Sequence, residues 1–131
     1  MAEPRKPTSS SIAARARGLG SARRGSGAWR AERLTAVALV PLTLWLVASL
    51  VALGGADRAA FVAWLSRPLS ALLVILLLLA AFRHTALGLQ VVIEDYVHSA
   101  AKIPLLIATH LLCFAICVAG VLATLSIVLG R

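Results

Sequence analysis

The sequence predicts an all-α membrane protein with three transmembrane helices, and three observations carry that expectation. First, 60% of the 131 residues are hydrophobic and the mean hydropathy is +0.93. A soluble domain of this size has too little interior to hide so much apolar surface. Second, the apolar side chains gather in three runs, each long enough to cross about 30 Å of hydrocarbon as a helix. Third, the basic residues are segregated. Of thirteen, Arg5, Lys6, Arg15, Arg17, Arg23, Arg24, Arg30 and Arg33 precede the first apolar run. The net charge of +8 therefore reads as a cytoplasmic flank following the inward bias of Lys and Arg. These cations lie among Ser, Gly and Ala with one aromatic, and no folded base-reading framework accompanies them. Nucleic acid is not an expected partner.

Each element follows in order. Residues 1–33 form a basic segment, expected to be largely disordered and to skim the cytoplasmic membrane surface. The stretch lacks an apolar core of the kind a secretory signal carries, though its Arg- and Ser-rich, acid-poor composition mimics a mitochondrial transit peptide. A bacterial inner membrane is the preferred location, a mitochondrial one the lesser. Residues 34–131 form the membrane domain, with helices expected over about 35–55, 68–93 and 103–130. Pro41 lies inside the first, where a membrane helix tolerates it with a bend. Pro68 suits the first turn of the second. Trp29, Trp45, Trp64 and Tyr96 fall close to the helix ends, as an interfacial aromatic belt requires, although Trp45 is deeper than that rule expects. With the N-terminus inside, the loop carrying Asp57, Arg58 and Arg67 is outside, "EDYVHSAAK" is inside again, and Arg131 ends outside.

Within this apolar background a few polar residues stand out, because ionisable groups in a spanning helix are costly and are functional suspects. They are Arg83, His84 and His110. His84 lies ten residues, or about 15 Å, before Glu94, too deep for a short imidazole to reach water. A haem ligand, a proton relay and a polar contact to a neighbouring helix all suit such a histidine. Positions 84, 88, 91 and 95 share one helical face. Gly88, one turn from His84, admits either a flat macrocycle or a closely packed helix. Arg83 suits an anionic partner such as a propionate, or reaches along its stem toward a polar surface. Glu94-Asp95-Tyr96 sets two carboxylates and a phenol at the cytoplasmic interface, and His98 and Lys102 read as solvated loop residues. Cys113 and Cys117 share a helical face with no further thiolate or acid cluster, so they read as small buried hydrophobes.

Taken together, "HTALGLQVVIEDYVH" resembles the second-helix signature of the hydrophobic membrane anchors of succinate dehydrogenase, respiratory complex II. The family pattern is a His, a Gly four residues on, a Gln-Val pair, then Asp-Tyr-Val. Here these are His84, Gly88, Gln90-Val91 and Asp95-Tyr96-Val97. "GLGSARRGSGAWRAERLTAVALVPLTLWL" is similar to the approach to the first helix in bacterial members, and the third helix matches only in character. The resemblance implies that His84 is an axial ligand of a b-type haem whose second ligand comes from a partner anchor subunit of cytochrome b type. It also implies that Tyr96 hydrogen-bonds a ubiquinone carbonyl oxygen with Asp95 beside it, and that Arg33 lies near the haem propionates. Arg83 is a further candidate there. Where members often carry a His before the Trp of the first-helix approach, this chain has Ala28, and His110 has no family counterpart.

The implied partners are that second anchor, packed with this chain into a helical bundle, an iron–sulfur subunit and a flavoprotein, all within membrane lipid. The chain has neither a GxGxxG motif nor a cysteine quartet, so flavin and clusters belong to those other subunits. It is expected to be the non-catalytic-core subunit of a succinate dehydrogenase (quinone) in the tricarboxylic acid cycle and respiratory chain. The alternatives are the anchor of a fumarate reductase, or a small three-helix assembly or structural protein that binds no haem.

Overall fold

The computed structural model describes residues 21–130, and among these it is helical with short connections. Four helices follow in order: α1 Ser21–Ala52, α2 Arg58–Leu65, α3 Pro68–Tyr96 and α4 Lys102–Val128. Three are long and apolar enough to cross a membrane, namely α1 from Gly27, α3 and α4, with 26, 29 and 27 residues. At 1.5 Å per residue these reach about 39 to 44 Å, beyond the hydrocarbon thickness at both ends. The chain from Ala31 onward forms one compact unit, which holds every expected site residue.

The second and third spans match the expected bounds closely, but α1 starts at Ser21, fourteen residues before Thr35. Its first turns fall inside the segment expected to be without fixed structure. Ala and Arg are strong helix formers, and nothing between Arg30 and Thr35 breaks the ladder. Residues 1–20, which carry the remainder of that expectation, lie outside the described residues.

The connection between α1 and α3, expected to be a loop, contains α2. Asp57 caps this helix: its carboxylate accepts from the Ala60 backbone N–H at 2.8 Å, satisfying one of the first-turn donors. Gly55, at φ +79°, supplies the left-handed residue that turns the chain out of α1. Ser66 and Pro68 then end α2 and start α3, proline fitting a first helical turn where no N–H is needed.

Helices α3 and α4 form a close hairpin. Small residues allow it: Cys113, Cys117, Gly120 and Thr124 recur at four-three-four spacing on α4, and all but Gly120 are buried. A Cβ added at Gly120 would lie 3.1 Å from Leu78 Cδ1 on α3, so here the helices touch through a missing side chain. Ser70, Ala71, Ala86, Leu87 and Ile93 are the buried residues on α3. The cysteines are free and buried, as their sequence setting implied. At the turn between α3 and α4, Lys102 Nζ donates to the Glu94 carbonyl oxygen at 3.0 Å.

Helix α1 meets the others differently. Among the described residues, none of its Cα atoms lies within 8 Å of another helix, and none of its residues from Gly27 onward is buried. It touches through side chains. Trp45 stacks on Trp64 of α2 with ring centroids 5.7 Å apart and planes inclined by 23°, and Phe61 lies 5.6 Å from Trp64. This aromatic cluster explains why Trp45 is deeper than a headgroup position: its partner is another indole.

Candidate functional site

The site is organised by the unbroken length of α3. His84 lies twelve residues before Tyr96 and sixteen after Pro68, about 18 Å and 24 Å from the two ends. It is half-buried, and its Nδ1 lies 3.2 Å from Thr35 Oγ1 on α1. No hydrogen bond reaches its Nε2 among the described residues. A Cβ built at Gly88, one turn further, meets nothing within 4 Å. The glycines of α3 and α4 thus differ: Gly120 is filled by Leu78, whereas among the described residues nothing packs on Gly88. A helical glycine costs about 1 kcal/mol against alanine, and no neighbour within the chain accounts for that cost at Gly88. An imidazole with one nitrogen engaged, the other open, and bare backbone a turn away fits a flat axial-ligated macrocycle.

Neighbouring residues separate by flank. Arg83 is exposed and lines a cavity of about 430 Å³ between α3 and α4, together with Leu79, Phe82, His110, Phe114 and Cys117. His84 meets α1, one helical step of about 100° around the same helix. Arg83 and His84 therefore address different surroundings. His110 shares the cavity, and its Nδ1 lies 3.0 Å from the Leu106 carbonyl oxygen of its own helix. Arg33 lies two residues before Thr35 and is exposed, so it stands within a turn of the level at which α1 meets His84.

At the C-terminal end of α3 the three polar residues also divide. Glu94 is engaged: its Oε1 accepts from Gln90 Nε2 at 2.8 Å and its carbonyl oxygen from Lys102. Asp95 and Tyr96 are exposed, Tyr96 to 81%, and no hydrogen bond among the described residues uses the Asp95 carboxylate or the Tyr96 hydroxyl. A phenol donor and a carboxylate acceptor are thus presented side by side at the helix terminus. Sequence reasoning missed Thr35, which it read only as the first residue of a spanning run. A hydroxyl at that position was the one available signal.

Comparison with known proteins identifies the family. The family described as succinate dehydrogenase/fumarate reductase transmembrane subunit matches residues 5–124. The succinate dehydrogenase hydrophobic membrane anchor subunit of Rickettsia bellii is 36% identical over 83 residues, covering 63% of this chain and 66% of that protein. The protein of the same description from Rickettsia conorii is 30% identical over 111 residues, or 83% of this chain and 88% of the relative. The chain thus spans just under two thirds of the first relative and most of the second. No solved structure gives a significant match. Three spanning helices and a family match over most of the sequence lead to one conclusion: the chain belongs to the succinate dehydrogenase/fumarate reductase transmembrane subunits.

Proposed function

We propose that this chain anchors a succinate dehydrogenase in a bacterial inner membrane, with its N-terminus cytoplasmic. In this reading it supplies one axial imidazole to a b-type haem and part of a ubiquinone site. The observation that carries the reading is His84: a half-buried imidazole deep in a membrane helix, with Nε2 unbonded and open backbone at Gly88. A haem held by His84 would draw its second ligand from a partner, the second anchor subunit, in keeping with the family to which the chain belongs.

The chain's own residues divide the work. His84 would hold the haem through Nε2, and the bound haem supplies one-electron redox chemistry at a potential set by its ligands and dry surroundings. Tyr96 O–H donates a hydrogen bond to a quinone carbonyl oxygen and so orients the ring. Asp95, exposed to water and adjacent in sequence, receives protons from the aqueous side and passes them to the reduced quinone oxygen. Glu94 is unsuited to that role because its carboxylate already accepts from Gln90. Arg33, two residues before Thr35, would lie near a propionate. Electrons reach the quinone from a flavoprotein oxidising succinate, by way of an iron–sulfur subunit on the cytoplasmic side. Both relatives carry the succinate dehydrogenase name, which favours succinate oxidation over fumarate reduction.

The test is to express the chain with the other subunits of its complex and record a reduced-minus-oxidised spectrum of the membranes. A low-spin b-type signal is expected, weakened or altered by His84→Ala, with quinone reductase activity lowered by Tyr96→Phe. An unchanged haem spectrum in the first variant together with unchanged activity in the second would sink the assignment.

A further inference from the structure

We propose that Thr35 is a positioning residue for the haem ligand, fixing the tautomer and orientation of His84 from a different helix. The inference rests on the reading of His84 as the axial ligand. Its basis is a proton count at one hydroxyl. Thr35 Oγ1 lies 2.9 Å from the Ala31 carbonyl oxygen, 2.9 Å from the Glu32 carbonyl oxygen and 3.2 Å from His84 Nδ1. A threonine hydroxyl has one proton to donate and two lone pairs. Carbonyl oxygens only accept, and both are nearer than the imidazole, so the proton goes to the α1 backbone. Toward His84 the oxygen then presents a lone pair, and Nδ1 carries the hydrogen that donates to it. A neutral imidazole protonated at Nδ1 has its free lone pair on Nε2, the nitrogen no protein group engages. The opposite tautomer would leave an Nε2–H unpaired in an apolar setting and Nδ1 facing an oxygen with no proton to give.

The consequence for the metal is electronic as well as geometric. An acceptor on the distal N–H raises the basicity of a ligating imidazole and locks its rotation, and partners of this kind change metal affinity by about 10- to 100-fold. A more basic imidazole favours ferric over ferrous iron. Thr35 therefore holds the haem potential down and narrows the range of ring orientations. His110 provides the contrast, because its Nδ1 partner is the carbonyl of its own helix four residues back. Only His84 is held from outside its helix.

Thr35→Val keeps the shape and removes the acceptor, whereas Thr35→Ser keeps the hydroxyl. Both are read in membranes containing the whole co-expressed complex, by redox titration of the haem and by its low-spin electron paramagnetic resonance spectrum. A tenfold loss of ferric preference, the lower end of the range above, raises a one-electron potential by about 59 mV. Thr35→Val is expected to give such an upward shift with a broadened low-spin signal, and Thr35→Ser to restore both. If Thr35→Val does not assemble, Thr35→Ala, which needs no added space, is read by the same two criteria. Potential and spectrum unchanged in the hydroxyl-free variant, in a complex whose haem does respond to His84→Ala, overturns the role of Thr35 and leaves the ligand intact. A haem indifferent to His84→Ala overturns the ligand assignment and this inference with it.

Discussion

Helices α3 and α4 hold each other by what they leave out, whereas α1 is held by what it puts in. In the hairpin, Cys113, Cys117, Gly120 and Thr124 let backbones approach until Leu78 fills the space of a missing side chain. Along α1, among the described residues, no Cα comes within 8 Å of another helix, and Thr35 and Trp45 reach the neighbouring helices through their side-chain tips. Lipid is as apolar as leucine, so close packing and polar contacts are what bind one membrane helix to another. The hairpin uses the first and α1 the second. The two deep histidines follow the same division, His110 lining the hairpin cavity and bonded to its own backbone, His84 bonded across to α1.

Substitutions at the two places are expected to separate function from stability. The largest effect is His84→Ala, which removes the chain's only proposed haem ligand and with it most of the b-type signal. Absorbance per assembled complex measures it. Next is Gly120→Leu in the hairpin: overpacking of this kind costs about 1–3 kcal/mol, seen as a lower melting temperature of the detergent-solubilised complex. Should Gly120→Leu leave stability unchanged, the close-packed account of the hairpin fails. Tyr96→Phe deletes one hydroxyl at an exposed helix end and is expected to lower kcat/KM for quinone roughly tenfold, about 1.4 kcal/mol, with stability unchanged. Trp45→Ala loses the indole stack, worth about 0.5–1.5 kcal/mol beyond area, and is expected to loosen α1 while the hairpin keeps its hydrogen-exchange protection. The smallest is Cys113→Ala, expected to cost about 1 kcal/mol or less for a nearly volume-conserving change at a buried site. Thermal stability checks it.

How much of this was legible in the sequence depended on the range of the interaction. Spans α3 and α4 follow from hydropathy, with the start of α3 read at Pro68 and its end expected near residue 93, three residues short of Tyr96, because a membrane helix must be apolar over its whole length. The early start of α1 was hidden, since residues 21–33 have no apolar run and helix propensity alone seldom decides a segment. Helix α2 was hidden inside the short connection between two spans, although Asp57 before "RAAF" is a readable cap. The family resemblance singled out Asp95 over Glu94 in the sequence, but the hydrogen bond from Gln90 that engages the Glu94 carboxylate is seen only in the fold. The Thr35–His84 contact joins residues 49 apart, and no local pattern encodes such a pairing. It depends on how α1 lies against α3.

The two grips on α1 have a mechanical consequence. Thr35 and Trp45 are ten residues apart, about 15 Å along the axis and about 80° around it. A rod held at one point can pivot and roll, but held at two points on different flanks it can do neither without releasing one of them. The stacked indoles and the Thr35–His84 contact thus act on the same helix, about 15 Å apart.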